Sequence, residues 1–475
     1  MLERLKRIIP NKLFLALQPA YHFLMSWLSA CAYGFPSRRL VVIGVTGTAG
    51  KTSTVYLIAK SLQAAGYRTG FTSTSVLSDG RQEILNDRKM TMPGRFFISS
   101  YLKRMVKNGC RYAVLETTSE GIRQFRHRFI NYDVLVFTGL YPEHIESHGS
   151  YEKYRAAKGQ LFAHLRRCRH KYVNEDKVVV RPKSGLRKLE LLRVRKSIIA
   201  NGDSLEAPYF LSFPSDSKLV YHFQELAGQK LVDSLPAEAR SKDFVFLPAS
   251  DLEVDISGTR FSVAGQDIAL RLLGGFNAQN ALAAYAVLND QGIAASLIKS
   301  GLESIKSLAG KLDKVEQGQD FSIIIDYAFE PQALAKLYQV IDLMPHNRLI
   351  HLLGSTGGGR DRARRPILGK IAGEKADYVV VTNEDPYDED PQAIIDMVAA
   401  GVESAGKREG ENLFRVLDRQ EAIRRALALA EPGDLVLLTG KGAEQYICLA
   451  QGSKIAWDER QEVEKALSKM GFDKT

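Results

Sequence analysis

Cysteine is scarce in this sequence: four cysteines occur in 475 residues, and none of them forms a CxxC pair. Cys31, Cys110, Cys168 and Cys448 are far apart along the chain, which excludes a zinc ribbon or a disulfide framework and indicates a reducing compartment, the cytoplasm. The rest of the composition, with 45% hydrophobic and 25% charged residues, is ordinary for globular proteins. It excludes a disordered, collagen-like or polytopic membrane protein.

Charged residues are also lacking between Leu13 and Ser37, a stretch that basic residues flank on both sides. Its length could span a bilayer. However, polar residues recur there at spacings of four and three, so they form one stripe of an amphipathic helix. The stripe consists of Gln18, His22, Ser26, Ser29 and Tyr33. We expect residues 1–39 to contact a membrane surface as an interfacial helix; a helix packed on protein and a true span are the alternatives.

The net charge of +11 is concentrated in one segment, because residues 166–196 contain twelve Lys or Arg and three acidic residues. This segment has neither interleaved aromatic residues nor a nucleic-acid recognition motif, so we interpret it as a solvated face or loop. Attraction to anionic lipid or substrate is the alternative. No nucleic-acid partner is expected.

The apolar runs predict an α/β fold with a mostly parallel sheet. Short β-branched runs alternate with helical segments, and residues 52–65 have helical periodicity shortly after the first run. The predicted strands are residues 39–45, 112–115, 134–138, 321–325, 348–353, 378–382 and 435–439. Residues 200–272 contain shorter runs, including 210–213, which predict an antiparallel or irregular addition.

The length predicts more than one domain. We place a basic and apolar helix segment at residues 1–40, a central domain at 41–308 and a Rossmann-like α/β domain at 309–475. The second boundary follows a helical stretch that gives way to Ala309-Gly310 and a new strand.

The strongest chemical signal is the segment GVTGTAGKT at residues 44–52, between the first predicted strand and the first predicted helix. In such a loop, glycines let backbone N–H groups surround phosphate oxygens at a helix N-terminus, while the lysine reaches the terminal phosphates and the hydroxyl binds Mg²⁺. A glycine-rich turn without nucleotide is the alternative. The candidate ATP-binding residues of this loop are Gly47, Thr48, Gly50, Lys51, Thr52 and Ser53.

This loop and the motifs that follow it, in the same order, resemble the ATP-dependent Mur ligases. The matching segments are TMP at 91–93, ETTS at 116–119, TGLYPEH at 138–144, YRAAKGQLF at 154–162, GFNAQN at 275–280, DYA at 326–328, GGRD at 358–361 and GKGAE at 440–444. The resemblance covers about residues 41–465. It is greatest to the MurE type, whose members add the third residue of the peptidoglycan stem peptide.

The resemblance implies an ADP-forming ligase that activates the carboxylate of a muramyl-peptide acceptor as an acyl phosphate and joins it to a free amino acid, here a diamino acid. It implies catalytic roles for Lys51, Glu116, His144 and Lys158, and Mg²⁺ binding by Thr52, Glu116, His144 and Lys158. Lys158 matches a lysine that is carbamylated in the family. Asn277, Asn280 and Asp326 match nucleotide-binding positions.

For the substrates, the resemblance implies that Thr91, Pro93 and Ser119 contact the acceptor. The matching amino-acid pocket contains Arg360, Asp385, Tyr387, Gly440 and Glu444. Members that use meso-diaminopimelate carry an arginine at the position of Tyr387, where it pairs with the distal carboxylate. A tyrosine there, with Asp385 and Glu444 as acceptors, favours lysine or ornithine over diaminopimelate.

Several family positions differ here: Glu120, Phe329 and Ala443 replace histidines, and Glu143 replaces an aspartate. Only 43 residues precede Gly44, too few for the domain that holds UDP in the MurE type. We therefore expect either that other surfaces hold UDP or that the acceptor carries a different handle, such as a lipid. The alternative functions are a membrane-associated ATP-binding homologue with a lipid-linked or non-peptidoglycan acceptor, and a ligase resembling folylpolyglutamate synthetase. The expected location is the cytoplasm, at the inner face of its membrane.

Overall fold

The computed structural model describes residues 11–88, 90–141, 149–174, 179–180, 191–223, 244–359 and 362–472. The α-helices of this part are α1 Asn11–Ala32, α2 Lys51–Ala64, α3 Arg95–Lys107, α4 Ser119–Arg123, α5 Tyr151–Leu165, α6 Ala207–Leu211, α7 Gly275–Asp290, α8 Ala295–Glu303, α9 Pro331–Ile341, α10 Arg364–Lys375, α11 Pro391–Ser404, α12 Arg419–Ala428 and α13 Glu459–Lys469. None of them combines the length and the apolar character needed to cross a bilayer.

The strands of the first sheet are β1 Val41–Thr46, β2 Thr69–Thr72, β3 Val76–Ser78, β4 Glu83–Leu85, β5 Tyr112–Glu116, β6 Val134–Phe137, β10 Ser197–Asn201, β11 Ser217–His222, β12 Phe244–Asp255, β13 Gly258–Val263 and β14 Gln266–Leu270. Their order is β14-β13-β12-β11-β10-β6-β1-β5-β2-β3-β4. The strands from β12 to β2 in this order run parallel, and an antiparallel hairpin extends the sheet at each edge. A separate small antiparallel sheet contains β7 Lys171–Val173, β8 Val179–Val180 and β9 Leu192–Val194.

The centre of the first sheet is buried on both faces, which explains the uninterrupted apolar sequence of β1. Val41, Ile43 and Val45 belong to one apolar core, which helices α2 and α7 complete. Val42 points into a second core on the opposite face, which includes residues of α3 and α5. The sheet therefore holds the end of β1, where the glycine-rich loop begins, between two packed layers.

The second sheet has six strands in the order β15-β16-β20-β17-β18-β19, all parallel except β15. They are β15 Asp313–Lys314, β16 Ser322–Ile325, β17 Leu349–Leu353, β18 Tyr378–Thr382, β19 Leu413–Val416 and β20 Leu435–Leu438. A hairpin of β21 Tyr446–Cys448 and β22 Lys454–Ala456 follows. Helices α9, α10 and α11 supply one apolar core of this sheet, and α12 and α13 supply the other.

The predicted α/β architecture is confirmed, and the seven predicted strands are present with ends shifted by at most two residues. The prediction for residues 200–272 is only partly right. Strand β11 and the first half of β12 are parallel members of the sheet, and only the β12–β14 hairpins are antiparallel. Residues 210–213 were expected as a strand, but Phe210 and Leu211 end helix α6, because Pro208 in its first turn favours helix initiation.

Two lysines of the basic segment do not lie on a solvated face. Lys171 and Lys196 are buried and both form ion pairs with the buried carboxylate of Asp133. Asp133 also accepts a hydrogen bond from the backbone of Val42, at 2.8 Å. Burial lowers the pKa of Lys171 to about 8, and Asp133 opposes that shift. These charges therefore fix strand β1 against the segments beside it.

Candidate active site

The glycine-rich loop joins strand β1 to helix α2 at the carboxyl edge of the first sheet. Gly50 precedes the helix with φ +79°, and a Cβ atom there would lie 2.3 Å from the Asn280 side chain. A Cβ atom on Gly47 would lie 2.1 Å from Thr138 Oγ1. The close approach of neighbouring groups thus requires glycine at both positions. The loop leaves the N-terminus of α2 as a site for phosphate oxygens.

Lys51 and Thr52 form the first turn of α2. Lys51 Nζ donates to the carbonyl oxygen of Thr48 at 2.7 Å, so the ammonium lies over the glycine-rich loop. Thr52 Oγ1 lies 3.0 Å from both carboxylate oxygens of Glu116, the last residue of β5. Ser53, the next residue of α2, is buried.

Glu116 is a buried carboxylate with several donors. Thr74 donates to it through its backbone N–H at 2.7 Å and through its hydroxyl at 3.1 Å. Burial raises the pKa of Glu116, whereas Lys51 and the hydrogen bonds from Thr74 and Thr52 lower it. The site can therefore hold either a proton or a cation at this carboxylate.

These groups fit a magnesium ion in the manner of phosphate-transfer sites. Magnesium is usually bound by one or two protein oxygens together with substrate phosphates. Thr52 and Glu116 supply a hydroxyl and a carboxylate beside the phosphate loop. The described part of the chain has no cluster of three His, Cys, Asp or Glu that could bind a metal by itself. His144, the third predicted ligand, lies outside the described residues.

Lys158 approaches the same loop from helix α5. Its side chain is buried, and Nζ donates to the carbonyl oxygen of Gly47 at 2.8 Å. The ammonium also lies 4.6 Å from the ring centroid of Tyr154, whose hydroxyl is 3.3 Å from Thr48 Oγ1. The structure thus brings the predicted Lys158 together with the predicted phosphate loop.

The nucleotide positions predicted outside the loop fall into two places. Asn280 on α7 lies against the loop, since Thr54 Oγ1 donates to its side chain at 3.3 Å and Asn277 accepts from it at 3.3 Å. Asp326 follows strand β16 of the second sheet. Its carboxylate accepts from the backbone N–H groups of Leu312 at 2.8 Å and of Ala328 at 2.7 Å. In this conformation Asp326 fixes the chain between the two sheets.

The predicted acceptor residues connect to Glu116 through Thr74. Thr91 Oγ1 lies 3.0 Å from Thr74 Oγ1, which can accept the Thr91 hydroxyl proton while it donates to Glu116, and the nearby Pro93 is buried. Ser119 begins helix α4 just after β5. Thr74 was missing from the predicted site. Its position shortly after strand β2, at the edge where the phosphate loop lies, is the signal that could have identified it.

The predicted amino-acid pocket lies at the carboxyl edge of the second sheet. Lys441 is fully buried, and its Nζ is 3.1 Å from Asp385 Oδ1 and 2.9 Å from Glu444 Oε2. Asp385 also accepts from the backbone of Cys448 at 2.7 Å, and Glu444 accepts from the Tyr327 hydroxyl at 3.1 Å. The two predicted acceptors are thus close together, with a lysine already between them.

Glu384, which was not predicted, adds a third carboxylate to this pocket. Among the described residues its buried Oε2 has no hydrogen-bond partner. A Cβ atom on Gly440 would lie 2.5 Å from that oxygen. Burial, with Asp385 next, raises the pKa of Glu384. Tyr387 has φ +52° and packs close to Gly358. Arg360 lies outside the described residues.

Comparison with known proteins identifies related families over both sheets of the chain. Residues 45–288 match the family described as the Mur ligase middle domain, and residues 310–442 match the one described as the Mur ligase, glutamate ligase domain. The chain is 35% identical over 451 residues to the UDP-N-acetylmuramyl-tripeptide synthetase of Roseiflexus sp. (strain RS-1), a match that covers 94% of this chain and 82% of that protein.

Two further relatives point the same way. The chain is 32% identical over 440 residues to the UDP-N-acetylmuramoyl-L-alanyl-D-glutamate–2,6-diaminopimelate ligase of Syntrophomonas wolfei, which covers 92% of this chain and 80% of that protein. A solved structure of a ligase with this activity in its name aligns with a TM-score of 0.55 and 24% identity, over 91% of this chain and 79% of the other. That structural likeness shows a shared fold.

Proposed function

Since this chain belongs to the Mur ligase family, we propose that it adds a diamino acid to the carboxylate of a muramyl peptide. The enzyme is an ATP-dependent amino-acid ligase of peptidoglycan precursor synthesis. The observation that carries the assignment of its reacting centre is the contact between Thr52 and Glu116 beside the phosphate loop. Residues 41–308 would form the ATP-binding domain and residues 309–475 the amino-acid-binding domain.

The proposed reaction has two steps. An acceptor carboxylate oxygen attacks the γ-phosphorus of ATP, which releases ADP and forms an acyl phosphate. The amino group of the incoming amino acid then attacks the acyl carbon, phosphate leaves, and the amine proton passes to solvent. Lys51 and the loop N–H groups at Gly47 and Gly50 would stabilise charge on the phosphoryl group during the first step. The N–H of Thr48 donates to the carbonyl oxygen of Gly139 at 2.8 Å.

Magnesium would be held by Thr52, Glu116, His144 and a carbamylated Lys158, and when bound it neutralises charge on the phosphate oxygens. The position of Lys158 supports the carbamate, because its buried Nζ lies beside the phosphate loop, where an added carboxylate would face the proposed metal. The carbamate would exchange a cation for a carboxylate. Ser53, Asn277, Asn280 and Asp326 are proposed for nucleotide binding.

For the acceptor, we propose contacts from Thr91, Pro93 and Ser119. The hydrogen bonds that join Thr74 to Thr91 and to Glu116 support this, because they connect the acceptor loop with the metal position. An acceptor carboxylate held by this loop would thus lie near the proposed metal position.

For the amino acid, we propose a pocket of Arg360, Asp385, Tyr387, Gly440 and Glu444, with lysine or ornithine preferred over diaminopimelate. A distal carboxylate needs a cationic partner, and Tyr387 cannot supply one. Three carboxylates lie in this pocket: Asp385 and Glu444 pair with Lys441, and Glu384 also lies within the electrostatic reach of Arg364 and Arg419. Carboxylate acceptors of this kind suit a side chain that ends in an ammonium.

We place the enzyme in the cytoplasm, with residues 1–39 against the inner face of the cytoplasmic membrane. The sequence supports this because no acidic residue occurs from Arg4 to Ser78, whereas basic residues flank the apolar helix.

The test of this function is a product assay by mass. The purified chain is incubated with ATP, Mg²⁺ and a muramyl dipeptide, with or without UDP, and with lysine, ornithine or diaminopimelate in turn. We expect ADP and a product larger by one amino-acid residue, with lysine or ornithine preferred. Ligation of glutamate to a folate in place of these products would instead identify a folylpolyglutamate synthetase. ATP binding without ADP release in any arm would exclude a ligase.

A further inference from the structure

Helix α1 lies on the protein with its polar side inward. Ser26 and Ser29 are buried although they belong to the polar stripe. Ser26 Oγ lies 2.9 Å from the carbonyl oxygen of Phe125, and Ser29 Oγ lies 2.9 Å from that of Arg95. These hydrogen bonds, together with buried Ala30 and the contacts of the Phe23 ring with Phe125 and Phe129, hold the helix on the protein. Most of its apolar side is left exposed.

The outer face of α1 is apolar over about half of its circumference. Its exposed residues are Leu17, Pro19, Ala20, Tyr21, Phe23, Leu24, Trp27, Leu28, Cys31 and Ala32. Leu24 and Trp27 are 49% and 44% exposed, although both side chains are large and apolar. An ordinary surface helix has the opposite arrangement, with its apolar side on the core. A continuous exposed apolar patch of this kind marks an interaction surface.

The charge and composition of α1 and its flanking residues indicate what kind of partner this face binds. Tyr21 and Trp27 are the residue types that favour the boundary between lipid headgroups and acyl chains. The sequence from Arg4 to Ser78 has basic but no acidic side chains, and Arg39 at the end of the segment is exposed. An apolar face with basic flanks complements an anionic lipid surface.

We propose that the outer face of α1 docks on an anionic bilayer and inserts its apolar side chains to the depth of the headgroup boundary. The polar face of α1 at the same time contacts the protein next to the proposed acceptor loop. Arg95, two residues after Pro93, donates through its guanidinium to Ser26 Oγ at 3.1 Å and to His22 Nδ1 at 2.7 Å. The proposed acceptor loop thus lies directly behind the membrane-facing helix.

Docking of α1 on a bilayer also identifies the acceptor as a muramyl peptide attached to a lipid. This identification of the acceptor rests on the proposed ligase function. A bilayer against α1 would present such an acceptor to the loop that Arg95 terminates. Lipid docking itself does not depend on ligase activity, so the two can be tested separately.

The test uses the full chain in a vesicle flotation assay. Phosphatidylcholine vesicles with phosphatidylglycerol are compared with vesicles of phosphatidylcholine alone, at low and high salt. The double variant Leu24→Glu with Leu28→Glu places two charges on the outer face. Leu205→Glu is the matched control, since Leu205 is 98% exposed elsewhere. Thermal melting verifies that each variant folds.

We expect the native chain and Leu205→Glu to float with the anionic vesicles, and the floated fraction to fall at high salt. The double variant should bind these vesicles at least about tenfold more weakly. Equal flotation of the double variant, or no flotation of the native chain, would overturn the proposal. So would a dimer in solution that the double variant converts to a monomer without any vesicle binding, because the face would then join two copies.

The acceptor class is tested with a lipid-linked and a water-soluble muramyl dipeptide. We expect the double variant to lose turnover only of the lipid-linked acceptor in vesicles. Equal loss with both acceptors contradicts a membrane role. Absence of ligation by the native chain with either acceptor, together with intact flotation, would refute the ligase function and leave membrane docking standing.

Discussion

Lys158 Nζ donates to the carbonyl oxygen of Gly47 at 2.8 Å, so a buried lysine of helix α5 contacts the loop on which the phosphates of ATP are expected to lie. A second cation there, besides Lys51, adds to the attraction for phosphate. A carbamate on the same nitrogen would instead face the metal. The two states predict different responses to substitution.

The first prediction is that Lys158→Ala lowers kcat by about 100-fold and that a short carboxylic acid restores part of the rate, because the acid can occupy the place of the carbamate. Steady-state kinetics with added propionate measures the rescue. Lys153→Ala, an exposed lysine on the same helix, is the control. Full activity of Lys158→Ala without any additive would eliminate the carbamate.

The second prediction concerns Glu116. Glu116→Gln keeps a hydrogen-bond acceptor for Thr52 and Thr74 but removes the charge. We expect kcat to fall by about 100-fold or more and the Mg²⁺ concentration for half-maximal activity to rise, because a neutral amide is a weak magnesium ligand. A magnesium titration of activity measures both effects. Glu120→Gln, exposed on α4, should leave the titration unchanged.

Sequence patterns predicted the parts of this site that are local in the chain. The loop from Gly47 to Thr52 follows a buried strand and precedes a helix, so its position at the carboxyl edge could be derived without coordinates. Glu116 could be placed at the same edge because it ends a neighbouring apolar run. Thr74 was missed because β2 was not among the predicted strands, and it is the pairing of β2 with β5 that brings Thr74 to Glu116.

The polar stripe of α1 shows a second limit. Periodicity correctly groups Ser26 with Ser29, but it does not specify which face meets the protein. The decisive partners are the Phe125 carbonyl, 99 residues away, and Arg95. Similarly, the composition of the basic segment did not reveal that Lys171 pairs with a buried aspartate, because Asp133 is a single acidic residue in another part of the chain.

The third prediction is that Asp133→Asn destabilises the first sheet by about 3–5 kcal/mol, because it leaves two buried lysines without their counter-ion. Denaturant unfolding measures the change. The control is Glu83→Gln, whose ion pair with Lys60 is partly exposed and should contribute about 1 kcal/mol or less. Equal effects of the two substitutions would mean that Asp133 does not anchor the sheet.

The fourth prediction is that docking of α1 weakens in acid. Burial, followed by Arg95 and Arg126, lowers the pKa of His22 below its ordinary 6.5. Neutral His22 accepts a hydrogen bond from Arg95, whereas the protonated ring would repel it. The docked state therefore binds fewer protons than the released helix, so docking loses stability as the pH falls below about 6.5.

Limited proteolysis of α1 between pH 7.5 and 5 measures this effect, with cleavage expected to increase toward acid. His22→Asn provides the control, because its amide oxygen can accept from Arg95 without titrating. A pH dependence that persists unchanged in His22→Asn would assign the effect to another group.

The last prediction concerns the choice of amino acid. Tyr387 lies beside Gly358, and its backbone N–H donates to the carbonyl oxygen of Cys448 at 3.2 Å, which holds its main chain in place. Tyr387→Arg keeps this backbone and adds a guanidinium, which can pair in bidentate fashion with a distal carboxylate. We expect the ratio of kcat/KM for diaminopimelate to that for lysine to rise by about tenfold or more. Tyr387→Lys should shift the ratio less, since an ammonium lacks the bidentate geometry, and Tyr387→Phe should leave it nearly unchanged.

Competition between the two amino acids, read by product mass, measures the ratio directly. If the native chain already prefers diaminopimelate and Tyr387→Arg does not increase that preference, residue 387 does not determine the selection.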